Sequence, residues 1–342
     1  MSAATTAPER ADRFGEGGPP RSAAARVGRT LLGTAPIFLV LLALLVWITI
    51  ENPNFTNPPV FLLFLRGAAP LMILAAGQLF VVLTGEFDLS VGALISLNVI
   101  VAGRLIDGEP ERTWPVIALL VLIGVIVGVV NGLITTRLGV PSFITTLGTL
   151  LIIDGATKYW TGGSPRGELP DNFRMWGRQG IEDVPWLGLL PYSVIILVVV
   201  GIVATVILHA TSYGKQVYAT GGNDRAAHLS GVHVSAVRTV AFVLSALSAV
   251  IAGVLLGGFS GLSPDAGAGY EFQAIAAVVL GGALLGGGRG AMIPAMAGAL
   301  TLQAIFTLLN LLGLPNSLDD VVQGTIIIAA VALAGLRQRF RR

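Results

Sequence analysis

Three stretches of this sequence place carboxylates, amides and hydroxyls inside or beside long apolar runs, where such groups are costly. The first is Thr84-Gly85-Glu86-Phe87-Asp88-Leu89-Ser90-Val91-Gly92. A carboxylate at the bilayer centre costs about 2.5–3.5 kcal/mol on insertion scales. Glu86 and Asp88 must therefore lie at an interface, line a wet cavity or bond to helix ends. Asp88 and Ser90 are both residue types that accept from the free N–H groups of a following helix. They equally suit the wall of a path for a polar solute, and the two roles are compatible. Gln78 and Asn98 flank the stretch with amides that match hydroxyl groups.

The second stretch runs from Ala219-Thr220-Gly221-Gly222-Asn223-Asp224 to Arg225-Ala226-Ala227-His228-Leu229-Ser230-Gly231-Val232. It reads as a Gly-Gly-Asn turn capping a short helix that stops at Gly231. Asp224 in the first turn suits the positive end of the helix dipole. Two turns with one apolar face (Ala226, Ala227, Leu229) are not stable alone in water. The helix needs a surface, either a cytoplasmic protein or the membrane itself. The third stretch, Ser263-Pro264-Asp265-Ala266-Gly267-Ala268-Gly269-Tyr270-Glu271-Phe272-Gln273, starts a helix with Glu271 in its first turn. Gly281-Gly282 and Gly286-Gly287-Gly288 then interrupt it, as in the binding and gating regions of transporters.

Several chemistries are missing from the sequence. No G-x-x-x-x-G-K-[ST] occurs, and the two lysines stand in Ala-Thr-Lys158-Tyr and Tyr-Gly-Lys215-Gln. The chain therefore lacks a phosphate-cradling loop. There is no H-E-x-x-H, the three histidines (His209, His228, His233) gather around 210–236, and there is no cysteine. No catalytic set, metal site or resident cofactor emerges, which leaves an intramembrane enzyme without support. A net charge of +2 gives no footprint for nucleic acid. The chain reads as a conduit that cannot itself use ATP.

The surrounding elements suit lipid. Hydrophobic residues make up 54% and charged residues 12% of the 342, against about 25% charged in a soluble domain. Mean hydropathy is +0.81. Residues 1–30 are polar and predict a disordered cytoplasmic tail; 31–336 form the membrane domain, and 337–342 a basic cytoplasmic tail. Apolar runs fall at 31–50, 61–84, 88–105, 114–136, 142–160, 188–209, 237–258, 271–285, 290–312 and 317–336. A run of about 20 residues crosses a hydrocarbon core of roughly 30 Å. The expected fold is an all-α polytopic membrane protein with about ten transmembrane helices, some broken, and both termini cytoplasmic.

The charges agree with that topology. Of the 21 Lys and Arg, 14 fall inside: five tail arginines, then Arg137, Lys215, Arg225, Arg238, Arg289, Arg337, Arg339, Arg341 and Arg342. This is the positive-inside pattern. Gly124, Gly128 and Gly132 recur every fourth residue, as do Ala291, Ala295 and Ala299. Such ridges let helices approach closely, within the chain or between two copies. Asp154 and Lys158 stand i, i+4 and neutralise each other. Asp319 and Asp320 follow Asn316-Ser317 as acids in a helix's first turn.

Four motifs, in this order, carry a family resemblance. They are Gly85-x-x-Asp88-Leu89-Ser90-Val91-Gly92; Pro141-Ser142-Phe143-Ile144-Thr145-Thr146-Leu147-Gly148-Thr149; the Gly221-Gly222-Asn223 to Leu229-Ser230-Gly231 loop; and Ala268-Gly269-Tyr270-Glu271 with Ala274-Ile275-Ala276-Ala277-Val278-Val279-Leu280-Gly281-Gly282. Over about residues 30–336 the sequence resembles the permease subunits of ABC sugar importers of the ribose, xylose and galactose branch. The resemblance implies a second permease copy, identical or paralogous, in the lipid bilayer of a bacterial inner (plasma) membrane. It implies a cytoplasmic ATP-binding subunit holding ATP-Mg, and an extracytoplasmic sugar-binding protein. It also implies that the Asn223–Gly231 segment is the coupling helix received by the ATPase. The coupling residues would be Gly222, Asn223, Asp224, Arg225, Ala226, Ala227 and Gly231.

The resulting reading is a permease subunit that passes a monosaccharide or polyol inward by alternating access. The expected path residues are Gln78, Asp88, Ser90, Asn98, Thr145 and Thr146, which offer hydroxyls and amides with few fixed charges. Two other readings stay open at the level of sequence. One is an ion-coupled carrier with Glu86, Asp88 or Asp154 as proton site. The other is a related permease for branched-chain amino acids, nucleosides or a signalling furanone.

Overall fold

A computed structural model of the protein describes residues 23–315, with Leu318, Val321, Val322, Gly324, Thr325, Ile326, Ile328 and Ala329 beyond them. The expectations for residues 1–22, most of the run 317–336, Asp319 with Asp320, and the tail 337–342 lie outside the described residues.

Among the described residues, helices α1 (Ala23–Glu51), α2 (Pro58–Leu83), α3 (Val91–Ile106), α4 (Thr113–Arg137) and α5 (Ser142–Thr161) follow in order. A short α6 (Asp171–Arg178) and strands β1 (Gly180–Val184) and β2 (Gly188–Pro191) precede α7 (Tyr192–Ala210). Then come α8 (Ser212–Gly222), α9 (Asp224–Leu229), α10 (Val234–Ser260), α11 (Tyr270–Leu280) and α12 (Met292–Leu311). The first nine apolar runs thus become α1 to α5, α7, α10, α11 and α12. Of these, α2, α4, α7, α10 and α12 are long and apolar enough to cross a membrane. Helix α11 has only 11 residues, about 16 Å at 1.5 Å per residue. That length is about half of a roughly 30 Å hydrocarbon core, in keeping with the glycines that follow it.

The sequence expectations need correction at three places. The β1–β2 antiparallel hairpin makes the chain not purely α-helical, and α6 and α8 are helices that the apolar runs did not show. Helix α6 is too short and polar to show as an apolar run, yet Phe173 and Gly177 are buried. In α8, Thr211 caps the start by accepting from Gly214 N at 3.3 Å, and Val217 and Thr220 face inward. Gly221 and Gly222, read above as a turn, are the last residues of α8, and the break comes at Asn223.

The core is centred on α2 and α10. Every residue of α2 from Ala68 to Leu83 is buried. The glycine ridge of α4 lies against α10: a Cβ at Gly128 would stand 2.6 Å from Val243 Cα, and one at Gly132 2.6 Å from Thr239 Cα. Ala295 and Ala299 are also buried, and Gly298 lies on the Ala277 carbonyl of α11. Both small-residue stripes therefore pack within the chain. The outer faces of α1, α4 and α7 are apolar, with Leu39, Leu122 and Val199 exposed. A surface of that kind is suited to lipid.

Helices α2 and α11 end in the same way. Val81-Val82-Leu83-Thr84-Gly85 and Val278-Val279-Leu280-Gly281-Gly282 each close with a glycine in the left-handed region, at φ 84° and 86°. Gly85 N donates to Val82 O at 3.0 Å and Glu86 N to Val81 O at 3.2 Å; Gly282 N donates to Val279 O at 2.8 Å and Ala283 N to Val278 O at 3.2 Å. Both sets are Schellman pairs, which a glycine at this position permits without strain. The segment after α11 reaches the end of α2, with Gly288 N donating to Leu83 O at 2.8 Å.

The α4–α10 contact gives a test whose sign is set by magnitude. Gly→Ala in a helix gains roughly 0.5–1 kcal/mol of intrinsic stability, whereas overpacking a tight contact costs about 1–3 kcal/mol. Gly128→Ala should therefore lower the thermal midpoint of the detergent-solubilised protein. Gly67→Ala, whose Cβ meets nothing within 4 Å, should not. Equal midpoints would show that the ridge has slack.

Candidate functional site

Helix α2 stops at Leu83 and α3 starts at Val91, and the backbone between them has to find partners outside the helix ladder. Side chains supply them. Phe87 N donates to Ser142 Oγ at 3.1 Å, and Thr146 Oγ1 donates to Phe87 O at 3.4 Å. The Gln78 carboxamide, in the orientation that satisfies both of its ends, donates to Asp88 O and accepts from Asp88 N, each at 3.3 Å. Asp88 Oδ1 accepts from Ser90 N at 3.0 Å and from Ser90 Oγ at 2.6 Å. The capping reading of Asp88 takes this specific form: the carboxylate fixes Ser90, the residue just before α3.

The network extends to residues that the sequence reading did not single out as site residues. Asn131 Nδ2 of α4 donates to Ser90 Oγ at 3.0 Å, and Thr149 Oγ1 of α5 donates to Asn131 Oδ1 at 2.6 Å. Asn131 had a signal of its own, as an amide in the middle of an apolar run. Ser142 and Thr149 read only as parts of a motif. Gln78, Asp88, Ser90 and Thr146 are brought together and wholly enclosed. Thr145 sits beside them: its carbonyl accepts from Thr149 Oγ1 at 3.0 Å, while its own hydroxyl is buried without a partner. Asn98 stands apart, two turns along α3, where its Cβ would lie 3.0 Å from one built on Gly253 of α10. Both its amide atoms are buried and unpaired.

Glu86, in the same break, faces Arg238 in the second turn of α10. Arg238 Nε lies 3.0 Å from Glu86 Oε1, with its N–H directed off the line to that oxygen. The guanidinium also reaches Asp224 Oδ2 of α9 at 3.7 Å. One arginine thus joins the broken helix to α9. The backbones touch as well. A Cβ on Gly221 would overlap Leu83 O, and one on Gly287 would stand 2.8 Å from Gly85 N.

Helix α9 has the cap and the stop that the sequence predicts, but its apolar residues Ala226, Ala227 and Leu229 do not share one face. Asn223 Oδ1 accepts from Ala226 N at 2.9 Å, and Gly231, at φ 84°, ends the segment. Ala227 turns inward, whereas Gly222, Asn223, Asp224, Arg225, Ala226 and Gly231 are exposed, and Leu229 is 80% exposed. The apolar Leu229 therefore projects away from the bundle. Helix α8, which leads into α9, is anchored to the bundle: Tyr218 Oη donates to Gly290 O at 2.8 Å and Tyr213 Oη to Val237 O at 3.1 Å. Burial pushes the Tyr218 phenol up to about 12 and the Tyr213 phenol higher still, so both remain neutral donors. Asp154 and Lys158 form the expected pair on α5 at 2.9 Å.

Comparison with known proteins gives consistent results. A family described as "Branched-chain amino acid transport system / permease component" matches residues 60–331. The ribose import permease protein RbsC of Bacillus subtilis is 38% identical over 302 residues, covering 86% of this chain and 91% of the relative. Its counterpart in Escherichia coli K12 is 36% identical, covering 88% and 93%. The autoinducer 2 import system permease protein LsrC of Enterobacter sp. 638 is 34% identical, covering 89% and 88%. No solved structure matches the chain. The matched span takes in the α2–α3 break, α9 and the interrupted α11, and with these relatives it shows that the chain belongs to this permease family, among the ABC sugar-importer permeases.

Proposed function

We propose that the chain is the membrane subunit of an ATP-driven, binding-protein-dependent importer that carries a monosaccharide or polyol into the cytoplasm. The observation that supports this most is the joint at Arg238, which ties an exposed, capped helix to a broken transmembrane helix through Asp224 and Glu86. In this reading the α9 end of the bundle is cytoplasmic, as the distribution of Lys and Arg requires. The chain then has ten spans in a domain over 31–336, and tails 1–30 and 337–342 on the cytoplasmic side. A separate subunit binds ATP-Mg and receives α9 through Gly222, Asn223, Asp224, Arg225, Ala226, Ala227 and Gly231. This chain holds no cofactor and does no chemistry. A second permease copy completes the path, and an extracytoplasmic binding protein delivers the sugar.

The Asp88 network sits at the inner end of that path. Gln78, Asp88, Ser90, Thr145 and Thr146 hold the broken segment and border the solute's route, and Asn98 lies further along α3. When the ATPase moves α9, Arg238 carries the displacement to Glu86 and so to the break. Two observations weaken an ion-coupled carrier. Glu86 and Asp154 are engaged with Arg238 and Lys158, and the family matched is that of ABC permeases.

Affinity purification from native membranes in mild detergent tests the reading. An ATP-hydrolysing chain should co-purify and should be lost when Asp224 and Arg225 are both replaced by Ala. Recovery of the chain alone, under conditions that keep a known importer intact, would contradict it. The Arg238 joint has its own test. Arg238→Glu sets two carboxylates face to face, and uptake should fall about tenfold or more, the equivalent of 1.4 kcal/mol. The double exchange Glu86→Arg with Arg238→Glu should restore part of the loss. Full uptake by the single variant would remove Arg238 from the coupling route.

A further inference from the structure

At the end of the bundle opposite α9, between α2, α7, α10 and α12, lies a cavity of about 300 Å³. None of the residues of the Asp88 network lines it. Its wall combines three kinds of group. Arg66, Ser193 and Gln303 supply hydrogen-bonding atoms, Phe259 and Tyr270 supply aromatic surface, and Gly67 leaves open room. Ser193 Oγ and Arg66 Nε are buried with no hydrogen-bond partner, an arrangement native proteins mostly avoid and one that calls for a cause. The Arg66 fork is fixed from two sides. One terminal nitrogen donates to Arg178 O at 3.3 Å, and the guanidinium lies 5.0 Å from the Phe259 ring centroid. Its position is therefore set while Nε is left unused. A Cβ on Gly67 meets nothing within 4 Å, so that side of the cavity is unfilled.

We propose that this cavity is a binding site for a single neutral monosaccharide or polyol, occupied as the solute enters from the extracytoplasmic side. The proposal rests on the importer reading and adds a site to it. Ser193, Arg66 Nε and the Gln303 amide engage hydroxyls, and Phe259 and Tyr270 cover the C–H faces of the sugar. A mostly apolar wall with a few fixed polar groups is the usual composition of a small-molecule site, and the volume is at the lower end for such sites. No carboxylate lines the cavity, which disfavours a cationic solute.

The chain has no cysteine, so Gly67→Cys supplies its sole thiol inside the cavity. Uptake of D-ribose, D-xylose, D-galactose and D-glucitol is first measured in proteoliposomes holding the complete importer. Modification of the Gly67→Cys chain by a charged methanethiosulfonate reagent is then followed with each of the four. A transported sugar should slow labelling about fivefold or more, and Ser193→Ala should raise its half-saturating concentration about fivefold, as the loss of one hydrogen bond would. Gly67→Leu should fill the cavity and cut uptake about tenfold while still co-purifying with the ATP-binding subunit. If a transported sugar leaves labelling unchanged and Gly67→Leu transports normally, the cavity is not a solute site and the importer reading stands. If none of the four is taken up, both fall.

Discussion

A helix that stops inside a protein leaves carbonyl and N–H groups that must find partners away from water. The end of α2 is such a place, with every residue from Ala68 to Leu83 buried. Its last carbonyls are closed by the turn at Gly85, and Leu83 O takes the N–H of Gly288 from the segment after α11. Beyond the turn, both polar groups of Phe87 go to α5, and both of Asp88 go to the Gln78 carboxamide. The partners belong to different elements, so the break holds them together: α2 and α5 directly, α4 through Asn131, α10 through Arg238. A displacement of any one strains hydrogen bonds to the others. A junction tied to several elements at once suits a switching element, which works through discrete arrangements rather than continuous play.

The same economy of water explains the rest of the interior. Helices α4 and α10 meet along glycines, since lipid gives helices no hydrophobic reason to associate and only close packing rewards contact. The ion pairs that leave the core, Glu86–Arg238 and Asp154–Lys158, lie toward the ends of helices. The large hydrophobic side chain of α9, Leu229, projects from the bundle on a helix too short to stand alone. That combination of a hydrogen-bonded junction at the α2–α3 break and an unsupported exposed helix fits a subunit moved by another protein.

Local features were legible in the sequence. The nine described apolar helices, the interruption after α11, the Asn223 cap and the Gly231 stop all follow from composition over a few residues. Gly85-x-x-Asp88-x-Ser90 announced the break. The joints were not legible. Asn131 meets Ser90, Ser142 meets Phe87, and Arg238 meets Glu86 across long separations, and no periodicity records such pairings. Arg238 counted in the sequence only as one more inside charge, and its pairing depends on where α9 and α10 settle. Helix α6 was missed because its burial comes from α10 rather than from its own apolar content, and the β1–β2 hairpin because its strands are short and mostly exposed or half-buried. Asn98, taken with the Asp88 cluster by proximity in sequence, is separated from it by the rise of α3. Of the residues expected to line the path, the structure gathers Gln78, Asp88, Ser90, Thr145 and Thr146 around one network, which also holds Asn131, Ser142 and Thr149.

The central claim is that this chain moves solute only as part of an ATP-driven assembly, and the energy source of uptake tests it most directly. Proteoliposomes holding either this chain alone or the chain with its ATP-binding subunit and binding protein would be loaded with ATP-Mg and assayed for sugar accumulation, with and without a protonophore. The account predicts accumulation only in the complete assembly, unaffected by the protonophore and abolished when ATP is replaced by a non-hydrolysable analogue. Accumulation by the chain alone that collapses with the protonophore would contradict it and make the membrane acids the centre of the mechanism.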